Sequence, residues 1–294
     1  MTDYRSGFVN IFGPPNAGKS TLLNALLGES LVAVSPKVQT TRHRILGILT
    51  EEKYQIVFSD TPGIIDPKYK LHQKMMQSVK SALEDADVAL LMADCTEDPE
   101  AFRFIADMLK LKVPVLFLLN KIDLLKTPQA VQERVDAYKS AFPQWDMMPI
   151  SATKDKGVKE VVPRILKHLP EAPPYYPEDS ISDRPVRFFV SEIIREQVFH
   201  LYGDEIPYHT AVVVQSYEEK STLTVIKADI VVSRETQKMI LLGKGGSSIK
   251  QLGIRSRAKI EAFVDGKVHL ELFVKVRPKW RDNEAHLREY GYNG

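Results

Sequence analysis

From Gly7 onward, short apolar runs alternate with amphipathic stretches. Phe8–Phe12, Ile45–Leu49, Gln55–Ser59, Val88–Ala93, Val113–Leu119 and Met147–Ile150 predict strands. Lys19–Leu27, Gln73–Leu83, Ala101–Leu109, Ala130–Ala141 and Val158–Leu169 carry helical spacing. Runs such as Val-Ala-Leu-Leu-Met (88–92) are apolar on both faces, as strands covered from both sides must be. Strand–helix alternation of this kind predicts a mostly parallel six-stranded sheet in an α/β domain, with helices on both faces. Ile45–Leu49 and Gln55–Ser59, joined by the short Thr-Glu-Glu-Lys turn, predict an antiparallel hairpin.

The alternation stops at Leu169. Residues 170–179 contain four prolines and predict an extended linker. Beyond it the order changes to a helix at Ser191–Tyr202 and strands at Thr210–Tyr217 and Leu223–Val232. Helices at Arg234–Leu242 and Ser247–Val264 and a strand at Val268–Val276 complete it. The chain therefore divides into an α/β domain at 1–170, a linker at 171–185 and an α+β domain at 186–294.

Length agrees with two domains, since 294 residues exceed most single cores. Hydrophobic residues at 44% and charged residues at 27% are globular values. The net charge is only +2, but it is unevenly spread. Residues 178–233 hold five Lys/Arg and ten Asp/Glu; residues 234–281 hold twelve and four, a net of +8. One cysteine, Cys95, excludes an intrachain disulfide and a cysteine-rich zinc site, and reads as a packing residue. The seven histidines lack metal-ligand spacing. No apolar run approaches a membrane span, and Met1–Gly7 is too short and polar for a signal peptide, so a soluble cytoplasmic protein is expected.

Gly13-Pro14-Pro15-Asn16-Ala17-Gly18-Lys19-Ser20, followed by Thr21, fits the phosphate-loop pattern between a strand and a helix. Glycines allow the backbone N–H groups to curl around a β-phosphate, and the helix start attracts the same anion. Lys19 would meet the β- and γ-oxygens, and Ser20 would ligate Mg²⁺. Asp60-Thr61-Pro62-Gly63 closes the third strand, where a carboxylate reaches Mg²⁺ through water and Gly63 N–H approaches a γ-phosphate. Asn120-Lys121-Ile122-Asp123 ends another strand. The Asp123 carboxylate can accept both the N1–H and 2-amino protons of guanine, whereas adenine would leave it desolvated and unpaired. Ser151-Ala152-Thr153 offers small residues and a backbone N–H to guanine O6. All four motifs lie at the carboxyl ends of strands, where open α/β sheets bind ligands.

Together with Gln39-Thr-Thr-Arg-His-Arg44 and a C-terminal glycine loop, these motifs make the chain resemble the Era family. That family comprises bacterial Ras-like GTPases of small-subunit assembly with a KH domain, and the resemblance covers about Gly7 to Tyr292. It implies GTP and GDP as ligands and Mg²⁺ as cofactor, with a switch hydroxyl on the metal from Thr41 or Thr40; Thr41 is favoured because related GTPases carry the ligand just before Arg. It makes Lys19, Thr41 and Gly63 the candidate catalytic residues. Ile64 stands where signalling GTPases place a water-orienting Gln, so slow intrinsic hydrolysis is expected. Asn16 either binds K⁺ where an arginine finger would reach or braces the loop. The resemblance further implies a monomer that binds the 3′ end of 16S ribosomal RNA and the 30S subunit, and peripheral association with the inner membrane face, for which no anchor is visible.

Gly243-Lys244-Gly245-Gly246 joins two predicted helices, and Gly-x-x-Gly at that place clamps about four single-stranded nucleotides in a KH domain. The order helix–strand–strand–helix–helix–strand resembles the type II arrangement. Lys244, Lys250, Arg255, Arg257 and Lys259 are the candidate phosphate contacts. Ile249, Leu252, Ile260 and Phe263 form either the packed face or the groove floor. Lys275–Arg281 is an auxiliary phosphate contact or a solvated face. Two other functions compete: a constitutive RNA-binding protein whose nucleotide only stabilises the fold, and a P-loop ATPase or kinase, which Asn-Lys-Ile-Asp argues against.

Overall fold

The computed structural model describes residues 4–292. The chain forms two compact units. The first holds residues up to Val32, Thr41–Asp66 and Met75–Asp183; the second holds Ala33–Thr40, Pro67–Lys74 and everything from Arg184 onward.

In the first unit, β1 (Arg5–Phe12), α1 (Lys19–Leu27), β2 (Ile45–Glu51), β3 (Tyr54–Asp60) and α2 (Lys70–Glu84, whose first turn clusters with the second unit) come first. They are followed by β4 (Val88–Asp94), α3 (Pro99–Leu109), β5 (Val115–Asn120), α4 (Pro128–Ala141), β6 (Asp146–Pro149) and α5 (Val161–Leu166). The sheet order is β2-β3-β1-β4-β5-β6. Only β2 runs antiparallel, pairing with β3 through a two-residue turn at Glu52-Lys53. Strands β1 and β4 are nearly solvent-free along their apolar residues, as helix cover on two faces demands. An aromatic cluster of Phe102, Phe117, Tyr138 and Phe142 fills one side of the sheet. The helix expected over 158–169 is only six residues, Val161–Leu166, with Pro163 in its first turn.

The proline-rich stretch is extended, but it is fastened to the first unit rather than free. The buried Gln55 side chain accepts from the Tyr175 and Tyr176 N–H groups at 2.8 and 2.9 Å and donates to Tyr176 O at 2.8 Å. Ser6 Oγ donates to Pro173 O at 2.6 Å, and Tyr175 packs edge-on against Phe8. Proline lacks the N–H that would let it join a sheet, so a buried side chain supplies the pairing instead.

The second unit contains α6 (Val186–Leu201), β7 (Ala211–Glu219), β8 (Thr224–Val232), α7 (Glu235–Leu242), α8 (Ser247–Val264), β9 (Val268–Val276) and α9 (Glu284–Glu289). Its sheet order is β7-β8-β9, with β7/β8 antiparallel and β8/β9 parallel. This is the type II KH order. The core lies where α6 and α8 cover the sheet with Val190, Ile194, Ile226, Ala228 and Ile260. No helix among the described residues is long and apolar enough to cross a membrane.

Candidate functional site

Three parallel strands of the first unit end in motif residues at one edge of the sheet. The phosphate loop follows β1, Asp60 closes β3 and Asn120 closes β5; the loop carrying Ser151 follows β6. Gly13 has φ 154° and a Cβ there would lie 2.3 Å from Met92 O, so neither the space nor the dihedral admits a side chain. Gly18, at φ 98°, caps α1, and a Cβ on it would meet Asn120 Nδ2 at 2.2 Å. At Gly63 the restriction is proximity alone, because a Cβ would sit 2.7 Å from the Pro15 backbone. The backbones of the first two motifs are thus in contact, and Ile64 N–H donates to Gly13 O at 3.2 Å.

The Asp60 carboxylate is completely buried. Its Oδ2 accepts from Ser20 Oγ at 2.7 Å and Thr41 Oγ1 at 3.1 Å, and those two hydroxyls lie 2.8 Å apart. Oδ1 has no hydrogen-bond partner among the described residues. Burial pushes the carboxyl above its usual range, although the Ser20 and Thr41 hydroxyls and the Lys19 charge oppose this. Three hard oxygens and an unpartnered carboxylate oxygen at one point fit Mg²⁺, which takes few protein ligands and completes its shell with phosphate and water. Thr40 lies elsewhere: its hydroxyl bonds Ser35 Oγ at 2.6 Å and Lys37 O at 2.7 Å, and it clusters with the second unit.

Lys19 Nζ donates to Gly13 O at 3.2 Å and Pro14 O at 2.8 Å. Burial pushes its ammonium down to about 8, against the pull of Asp60. Asn120 is 3% exposed and acts as a brace: Nδ2 donates to Ala17 O at 2.8 Å and Oδ1 accepts from Ala152 N–H at 3.0 Å. It joins the phosphate loop to the Ser151–Thr153 loop. Asp123 is exposed, and its Oδ1 accepts from Ser151 Oγ at 2.6 Å. Lys121, in the left-handed region at φ 67°, pairs with Asp94 at 2.7 Å. Burial pushes Asp94 up, yet the Lys121 and Thr96 hydrogen bonds outweigh it and hold the carboxyl below its usual range. Asp94 is a site residue that no sequence motif marks. Cys95 is buried, its thiol pushed up to about 11 by desolvation, which agrees with packing rather than nucleophilicity.

In the second unit, Gly243, Gly245 and Gly246 have φ 70°, 60° and 79°, and a Cβ at either of the last two would meet nothing within 4 Å. These two keep an open backbone surface at the start of α8. Beside it lies a groove of about 370 Å³ lined by Ile249, Lys250, Ile254 and Arg257 from α8 and by His269 and Leu270 from β9. At about 100° per residue, Lys250, Ile254 and Arg257 share one face of α8 while Lys259 lies on the opposite one. Lys259 accordingly forms an ion pair with Glu196, and Arg255, although exposed, does not line the groove. Leu252 and Ile260 are fully buried, and Phe263 packs beside Phe189. In Lys275–Arg281, Trp280 is buried and donates to His209 O at 2.9 Å, and Lys275 pairs with Asp229 at 2.6 Å. The aromatic ring there is core rather than a stacking platform.

Residues 8–121 match a family described as 50S ribosome-binding GTPase, and residues 205–281 match the KH domain family. The chain is 44% identical to GTPase Era of Geobacter sp. (strain M21), with 98% of each chain covered. It is 42% identical to GTPase Era of Staphylococcus haemolyticus, covering 99% of this chain and 98% of that one. The chain belongs to the Era family of GTPases. A crystal structure of Era in complex with MgGDPNP and nucleotides 1506–1542 of 16S ribosomal RNA matches with a TM-score of 0.94 and 40% identity, covering 99% of this chain and all of that one. As an Era-family GTPase the chain hydrolyses GTP to GDP and phosphate.

Two predictions arise from this geometry. A folded-state pKa of about 8 for Lys19 means the unliganded fold bears the cost of the charged amine below about pH 8 and regains stability as pH rises toward 10.5, the ordinary value. Phosphates restore the charge, so GTP binding near pH 9 takes up close to one proton and binding near pH 7 takes up little. Calorimetry in buffers of different ionisation enthalpy measures this, and pH-independent proton uptake contradicts it. Asp123→Asn should weaken GTP about 10³-fold, from two charge-assisted hydrogen bonds at roughly 2 kcal/mol each. It should improve xanthosine triphosphate, and competition titration reads both.

Proposed function

We propose that the chain is a Mg²⁺-dependent GTPase that binds the 3′ region of 16S ribosomal RNA through the Gly243–Gly246 loop and the adjoining groove. In this reading it acts in assembly of the 30S subunit. The observation that carries the reading is full-length kinship with an Era that holds MgGDPNP and nucleotides 1506–1542 of 16S RNA in one complex. The family description over the GTPase half names the large subunit, but it covers only residues 8–121; the full-length relationship favours the small one.

In this mechanism the phosphate-loop N–H groups and Lys19 bind the β- and γ-phosphates, with Ser20, Thr41 and Asp60 around Mg²⁺. The metal supplies charge neutralisation between β- and γ-oxygens. Gly63 N–H faces the γ-phosphate, and Asp123 with the Ser151–Thr153 loop selects guanine. Ile64 is buried in the core beside Phe12 and Leu91, so its side chain neither reaches nor orients an attacking water. Slow intrinsic turnover follows. Asn16, exposed and at φ 62°, is the candidate K⁺ ligand that would supply the missing positive charge. Hydrolysis should then run about tenfold or more faster in potassium than in sodium chloride; equal rates leave Asn16 as a loop brace.

Coupling is tested with an RNA of the 16S 3′ end, measured against the protein with GDP and with a non-hydrolysable GTP analogue. The analogue should strengthen RNA binding, and equal affinities would favour a constitutive RNA-binding protein. Gly245→Asp places a carboxylate on the open loop at a φ that Asp tolerates. It should weaken RNA about tenfold or more through repulsion of phosphate while leaving RNA-free hydrolysis unchanged; undiminished RNA affinity would remove the loop from the interface.

A further inference from the structure

At the carboxyl end of β4 one side chain is held more firmly than strand packing asks. Asp94 Oδ1 accepts from the Thr96 N–H at 2.9 Å and the Thr96 hydroxyl at 2.7 Å, which leaves Oδ2 to pair with Lys121 Nζ at 2.7 Å. The backbone that follows Asp94 is fastened to α4. Arg134 Nε donates to Cys95 O at 2.7 Å, and the buried Tyr138 donates its hydroxyl to Glu97 O at 3.2 Å. Asp94 and Asn120 are partners in the sheet register, and Lys121 leaves β5 with left-handed backbone at φ 67°. Its side chain reaches back to the end of the neighbouring strand.

The ion pair is not needed to join β4 to β5. Cys95 N–H already donates to Asn120 O at 2.9 Å, and the Cys95 thiol donates to Lys121 O at 3.2 Å. The pair sits, however, at the nucleotide end of the sheet. A cavity of about 240 Å³ is lined by Pro14, Pro15 and Asn16 of the phosphate loop together with Asp94. Asn120, the residue before Lys121, braces Ala17 of that loop and Ala152 of the guanine loop. A lysine stem is apolar along its length and loses rotamer freedom when ordered, so anchoring the ammonium turns the stem into a ready-made surface. We infer that Asp94 is a positioning residue for the nucleotide: by anchoring the Lys121 ammonium it lays the lysine stem down as one wall of the purine slot, while Asp123 reads the purine edge. This rests on the reading of Lys121 as a nucleotide-binding residue. Ordering the wall beforehand removes that entropy loss from binding and slows release.

The test measures release of ribose-labelled fluorescent GDP and inosine diphosphate from the full chain carrying Asp94→Asn. That change keeps an acceptor for Thr96 and loses the charge facing Lys121. At 14% and 30% exposure the two side chains lie between the limits of exposed and buried ion pairs, so both nucleotides should leave about tenfold faster. The factor is shared because a wall meets the purine face, which inosine keeps, and not the 2-amino group, which it lacks. In a Lys121→Ala background Asp94→Asn should add nothing. A purely structural pair would lower the melting temperature and leave release unchanged, which overturns the inference; an effect that persists without the lysine, or falls on GDP alone, overturns it too. If Asp94→Asn does not melt cooperatively, Thr96→Ala at an exposed position loosens the same carboxylate and should speed release about threefold. Unchanged release there counts equally against the inference. Lys121→Ala decides the underlying reading. If that change alone leaves GDP release untouched, Lys121 does not meet the nucleotide; if it speeds release and Asp94→Asn does not, only the positioning role fails.

Discussion

The nucleotide end of this protein is organised by two opposite charges that are each costly where they sit. Asp60 and Lys19 are both buried, and desolvation moves both toward neutrality, the carboxyl upward and the amine downward to about 8. Their mutual attraction and the Ser20 and Thr41 hydroxyls offset part of that cost. Neither charge is fully compensated by the protein, since Asp60 Oδ1 lacks a hydrogen-bond partner among the described residues and Lys19 has two loop carbonyls. A triphosphate and a divalent cation are the complementary pair, an anion for the amine and a cation for the carboxylate. Binding energy in such a site comes from relieving desolvated charge, the arrangement that makes electrostatic preorganisation effective.

That electrostatic centre needs a frame stiff enough to hold it, and backbone contact supplies one. Gly63 touches Pro15, Gly18 touches Asn120, and Gly13 touches the β4 strand end at Met92. Asn120 extends the frame to the Ser151–Thr153 loop through its two amide atoms. Motifs more than a hundred residues apart in the chain thereby become one surface. The segment Ala33–Thr40 belongs to the second unit instead, where α6 holds it.

Much of this was legible in the sequence. The spacing of Gly13, Gly18, Lys19 and Ser20, the strand-end positions of Asp60 and Asn120, and the order of elements are local patterns, and local patterns survive in one dimension. The roles that stayed hidden depend on partners distant in the chain. Asn120 belongs to a recognisable motif, yet that it braces Ala17 and Ala152 follows only from folding. Arg195 and Glu196 are charged residues of a predicted helix, and nothing in their spacing shows that both are buried. Gln55 gives no hint that it holds residues 175 and 176. Buried polar side chains are chosen by their partners, and many of those partners are backbone donors and acceptors that carry no sequence signature.

The KH half illustrates the same limit for charge. A net of +8 over residues 234–281 suggests a broadly cationic surface, but α8 sorts its basic residues by angle. Lys250 and Arg257 border the groove, while Lys259 is committed to Glu196 and Lys275 to Asp229. Between those two cations the groove is lined by Ile249, Ile254 and Leu270, apolar surface suited to the faces of unstacked bases. In the proposed reading, a cleft with such an apolar floor draws much of its affinity from base contact as well as from counterion release. It therefore favours exposed single-stranded nucleotides over duplex, whose bases are already stacked away from such a floor.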